Sequence, residues 1–75
     1  MIEWKRVDKD KPPVGSYLFL FDGIVYEGWI LCNPEEGLDM RDDDGFPLWE
    51  SNENYLRRAH YVRWYAEINL PEREQ

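Results

Sequence analysis

Apolar and polar positions divide the chain into short elements, and the densest apolar stretch is residues 17–31, YLFLFDGIVYEGWIL. Two apolar runs flank Asp22-Gly23, which predicts a β-hairpin: a two-residue type I′ turn needs positive φ at both positions, and Asp and Gly tolerate it best. Such a turn also sets the register. Phe21 then faces Ile24, Phe19 faces Tyr26 and Tyr17 faces Gly28 on one side, with Leu20/Val25, Leu18/Glu27 and Ser16/Trp29 on the other. Both sides are largely apolar, so the ribbon is either covered on both faces or keeps one face for a partner.

Around this hairpin the pattern is weaker. Residues 2–7, IEWKRV, alternate as a short edge strand that would carry Trp4 into the core. The following Asp8-Lys9-Asp10-Lys11-Pro12-Pro13 suits neither a helix nor a central strand, because proline lacks an N–H and restricts its predecessor. Residues 32–37 read as a loop. Residues 38–41 and 46–49 read as a second hairpin around a 42–45 turn, with Pro47 placing the return strand at an edge. Ser51 is a candidate N-cap for one short helix over 52–60, with Glu53 in its first turn and Tyr55, Leu56 and Ala59 on its inner side. Residues 61–68 alternate as a strand with Val62, Trp64, Ala66 and Ile68 on one face, Leu70-Pro71 ends it, and 72–75 reads as a frayed tail. The expected architecture is a single α+β domain, 1–75: an antiparallel sheet organised on the 17–31 hairpin with one short α-helix.

Composition refines this picture. A 75-residue chain has little volume for a core, and twelve aromatic residues supply much burial for little chain entropy. The single cysteine, Cys32, cannot form an internal disulfide, which favours a reducing cytoplasmic setting. No signal peptide or spanning segment is read, so a soluble protein is expected. The net charge is −7, with a pronounced asymmetry: residues 22–54 hold ten acids against one base, Arg41, whereas each flank has a slight basic excess. That argues against nucleic acid or anionic lipid as the main partner and favours a protein with a basic surface.

The Asp42-Asp43-Asp44-Gly45 run has the composition of a calcium loop but not its spacing. With Gly45 at the sixth place of an EF-hand, Met40 and Ser51 would occupy the first and twelfth, so two principal ligands are missing. An irregular cation site at Asp39, Asp42 and Asp44 is a weaker reading than a solvated turn. Cys32 and His60 supply too few ligands for zinc, and nothing in the sequence brings them together as a nucleophile and base. No phosphate loop, catalytic residue or cofactor is assigned. The carboxylates of Glu35, Glu36, Asp39, Asp42, Asp43 and Asp44 are the candidate partner-binding residues, an acidic face imitating the phosphates of a nucleic acid. Neutralising 42–44 should leave the fold intact, since like charges in a turn repel.

Trp4 and Val7, Pro13 and Gly15, the 17–21 strand, Gly28-Trp29, Trp64 and Leu70-Pro71-Glu72 together resemble a short domain family of unknown function common in phage and prophage genes. That family reads W-x-x-V, L-P-x-x-G-x-x-V-L-V, G-Y-Y and T-H-W-M-P-L-P-E. This chain departs at Lys11, before the proline, and around Trp64. The resemblance implies a small α+β phage-type protein without catalytic residues. The combined expectation is a non-enzymatic inhibitor of a basic site on a host nucleic-acid-handling protein, such as RNA polymerase or a defence nuclease. Alternatives are a small-ligand binder using an aromatic sheet face, and an inert accessory domain that dimerises through its second apolar face.

Overall fold

Strands β2 (Ser16–Phe21) and β3 (Ile24–Ile30) form the central hairpin, and their register is the one dictated by a two-residue turn, from Phe21 opposite Ile24 to Ser16 opposite Trp29. Asp22 and Gly23 both have positive φ, 56° and 77°, as a type I′ turn requires. This computed structural model describes residues 2–53 and 56–68. Around the hairpin, β1 (Lys5–Arg6), β7 (Trp64–Ala66) and β6 (Trp49–Ser51) complete an antiparallel five-stranded sheet of order β1-β7-β2-β3-β6. A two-stranded sheet, β4 (Cys32–Asn33) with β5 (Leu38–Asp39), joins through a 3-10 turn at Pro34–Glu36.

The fold is all-β among the described residues, which corrects the α+β expectation. The predicted helix over 52–60 is absent: Trp49 and Ala59 exchange both backbone hydrogen bonds, and the Ser51 N–H donates to the Leu56 carbonyl. The chain therefore returns to β6 through an isolated bridge at Ala59. Ser51 does cap, but a turn: its hydroxyl accepts from the Leu56 N–H at 3.2 Å. An isolated helix of nine residues is marginal, whereas pairing with β6 buries Ala59 in the core. Tyr55, assigned to that helix, and the tail at 72–75 lie outside the described residues.

One face of the sheet carries the core. Phe19, Ile30 and Trp49 are buried there with Val7, Cys32, Ala59 and Val62, flanked by Tyr17, Phe21, Tyr26 and Tyr65. Trp49 is the centre: its ring lies 5.1 Å from Phe19, 6.2 Å from Tyr65 and 6.3 Å from Tyr17, centroid to centroid. Gly28 allows β6 to approach β3, because a Cβ there would collide with the Glu50 carbonyl oxygen. The expected alternation of 61–68 holds only from Trp64 onward. Tyr61 has φ +64 and the strand begins only at Trp64, so Val62 enters the core from outside the strand while Trp64 faces outward, 39% exposed. Likewise Val7, rather than Trp4, is the core residue of the N-terminal segment.

Candidate functional site

The acidic candidates sit on the segment that leaves β3 and returns as β6. Its base is a backbone ladder in which Leu31 N–H donates to Leu48, Met40 N–H to Leu31 and Leu48 N–H to Met40. The second hairpin of the sequence reading thus exists at its base, closed by Arg41 opposite Pro47. Residues 38 and 39, however, pair with Cys32 and Asn33. Beyond the ladder, the Asn33 side chain caps the 3-10 turn by accepting from Glu35 N–H at 3.1 Å, and Gly37 closes it at φ 73° with its N–H on the Pro34 carbonyl. Glu35 and Glu36 project from this cap, exposed and without an ion pair among the described residues.

Asp39 is tied to Arg41, whose Nε donates to its Oδ1 at 2.7 Å, and the Cys32 thiol donates to the same oxygen at 3.2 Å. The Arg41 hydrogen bond holds the Asp39 carboxyl below the usual range, although its side chain is 70% exposed. Burial, then the carboxylate partner, push the Cys32 thiol up. Cys32 is therefore a poor nucleophile. His60 is exposed and packs near the Tyr61 ring.

Asp42 differs from its neighbours. Its side chain is wholly buried, and four donors converge on it: Asp44 N–H (2.9 Å) and Phe46 N–H (3.0 Å) on Oδ1, Tyr61 N–H (3.0 Å) and Arg63 Nη1 (3.1 Å) on Oδ2. Burial raises its pKa, but the bonds from Phe46, Tyr61, Arg63 and Asp44 together outweigh that and leave it lowered. This carboxylate is an internal staple between the 42–46 turn and the start of the closing strand, not a docking group. The expectation that neutralising 42–44 spares the fold is accordingly corrected. A signal was present: in Asp-Asp-Asp-Gly only the first Asp occupies the position whose side chain bonds back to the turn's own N–H groups.

Three cations close around this turn. The Arg63 guanidinium lies 3.7 Å from the Phe46 ring centre and also reaches Asp44 at 3.0 Å. Arg41 Nη1 donates to the carbonyls of Lys9 and Gly45, and Lys9 Nζ reaches the Asp44 carbonyl. Sequence reasoning had assigned none of these a role, because they come from three separate stretches of chain. Asp44 is paired yet 61% exposed, and Asp43 accepts a long 3.5 Å bond from the Tyr61 hydroxyl, whose pKa the Asp43 charge raises. The outward acidic set is thus Glu35, Glu36, Asp39, Asp43 and Asp44, its two ends linked through Arg41. Among the described residues, no group of three or more His, Cys, Asp or Glu side chains is arranged to hold a metal ion. The aromatic residues of the inner sheet face pack around Trp49.

No family model, curated protein or solved structure matches this chain.

Proposed function

We propose that this protein is a non-enzymatic binding module whose acidic lobe associates with, and occludes, a basic nucleic-acid-handling site on another protein. The supporting observation is the division of labour in the lobe. Lys9, Arg41 and Arg63 are committed to carbonyls and to Asp39, Asp42 and Asp44, while Glu35, Glu36 and Asp43 point outward without a cationic partner among the described residues. The braced backbone of the lobe fixes where these carboxylates are anchored, so binding has to order only their side chains. The phage setting, with host RNA polymerase or a defence nuclease as target, follows from the resemblance of Trp4, Gly28-Trp29 and Trp64 to the phage domain family.

Surface-immobilised bacterial RNA polymerase core and a panel of nucleases, probed with the purified protein across a salt series, test this reading. The expected result is association with a basic member of the panel that weakens steeply as salt rises, since exposed charges are screened over about 8–10 Å at moderate ionic strength. Binding that ignores salt, or that survives Glu35→Gln with Glu36→Gln and Asp43→Asn unchanged, would sink it.

A further inference from the structure

The two outward-facing tryptophans of the sheet are covered differently. Arg6 and Trp64 are cross-strand partners on β1 and β7, and the Arg6 guanidinium lies 5.2 Å from the Trp64 ring centre. Trp29, half-buried on the same face, has Ser16 as its partner on β2, and among the described residues no cation lies over its ring. Carboxylates surround it instead. Glu50 stands opposite on β6, Glu27 lies two positions earlier on β3, and Glu36 lines the same cleft as the indole. Glu27 and Glu36 are exposed and hold no ion pair among the described residues, whereas Glu50 also borders a second cleft with Arg57 and Arg58.

We propose that the cleft beside Trp29 receives one arginine side chain of the basic partner protein, an inference that rests on the reading of the lobe above and names what the partner inserts. The cleft lies between the start of β2, the end of β3 and the 3-10 turn, and Val14, Ser16, Trp29, Leu31, Glu36 and Leu38 line it. Its volume, about 280 Å³, falls just under the roughly 300–1,000 Å³ of small-molecule sites, which suits a single protruding side chain. The walls match arginine from base to tip. Val14, Leu31 and Leu38 take the methylene stem, the indole takes the flat face of the guanidinium, and Glu36, with Glu27 beside the ring, supplies the counter-charge. A lysine ammonium is more strongly hydrated and can neither stack nor fork, so it fits the same walls less well. The Arg6–Trp64 pair is the chain's own instance of the contact. Tryptophan and arginine are also among the residues that dominate binding energy at protein interfaces.

A capped hexa-arginine peptide, titrated into the nitrogen-15-labelled protein at about 0.15 M salt, tests this by heteronuclear NMR. The Trp29 indole N–H signal reads the cleft, and the backbone amide of Asp43 reads the acidic lobe. The expected result is a saturable shift at Trp29, with several-fold more hexalysine needed for the same shift and none from the uncharged hexacitrulline. Glu27→Gln with Glu36→Gln should raise the half-saturating concentration about tenfold. Ser16→Arg sets an arginine of the chain itself across from Trp29, as Arg6 stands across from Trp64. It should move the Trp29 signal without peptide and block the peptide's effect there, while the Asp43 response persists. All three substituted positions are exposed, and an amide spectrum otherwise unchanged shows that each variant is folded. A silent Trp29 overturns the proposal, and if Asp43 still responds the reading of the lobe stands without it. A Trp29 response without one at Asp43 supports the cleft and counts against the lobe. An equal response to hexacitrulline, or one that the glutamine pair and Ser16→Arg leave untouched, also overturns the proposal.

Discussion

The Asp42 carboxylate accepts a hydrogen bond from the Tyr61 N–H at 3.0 Å, joining positions nineteen residues apart. Tyr61 holds φ +64, a left-handed conformation that a non-glycine residue adopts at a cost and keeps only when its surroundings demand it. The carboxylate supplies that demand. Its bonds to Asp44 and Phe46 fix the turn, and the bond to Tyr61 holds the closing segment where Val62 enters the core ahead of β7. One side chain thereby sets the shape of the acidic lobe and the start of β7.

Asp42→Asn should destabilise the domain by about 2–4 kcal/mol, because it leaves Arg63 without its buried counter-charge and puts a donor against other donors. Asp43→Asn should leave the denaturant midpoint unchanged within error. Equal midpoints for the two variants would remove the structural distinction drawn between these neighbours.

Acid should act through the same group. The folded pKa of Asp42 is lowered, so its contribution to stability is fully present above the ordinary carboxylate value of about 4 and is lost as pH falls through the lower, folded value. Denaturant titrations from neutral pH to below 4 should show the parent losing stability over that window and Asp42→Asn losing less. Parallel pH profiles would count against this assignment.

Two glycines should fail differently. Gly28→Ala meets the Glu50 carbonyl and must separate β3 from β6, with an expected loss of about 3 kcal/mol or more. Gly23→Ala meets open space and carries only the strain of φ 77°, about 1–2 kcal/mol. Chemical denaturation of both variants gives the order, and a costlier Gly23→Ala would show that β6 can move away.

Cys32 should resist modification in the native protein. Its thiol is buried, donates to Asp39 and has a raised pKa, all of which lower the population of accessible thiolate. Reaction with a thiol-specific reagent should be slow at neutral pH and fast in denaturant, and comparable rates in both would mean that the β4–β5 sheet opens readily.

Association with a basic partner should slow several-fold in Glu35→Gln with Glu36→Gln, at unchanged thermal stability, because these side chains are exposed and make no hydrogen bond or ion pair among the described residues. Stopped-flow on-rates would check this. The 42–44 triple Asn variant cannot serve instead, since it removes the internal staple along with the charge.

The amino-acid sequence by itself determined whatever depends on neighbours in the chain. Asp22-Gly23 specifies the turn and, through the two-residue period of a strand, every cross-strand pair of the central hairpin. The acidic excess of residues 22–54 and the 42–45 turn were legible for the same reason. Tertiary structure alone decided the rest. Residues 52–60 have helical spacing in part, yet Trp49 and Ala59 satisfy each other's backbone groups and bury both side chains, a long-range gain that outweighs a weak local preference. The three consecutive aspartates are equivalent in composition, but the approach of Tyr61 and Arg63 makes one an interior staple and leaves the other two outside. Which face of an apolar ribbon is covered depends on where Trp49, Ala59 and Val62 pack, and no periodicity within the ribbon encodes that.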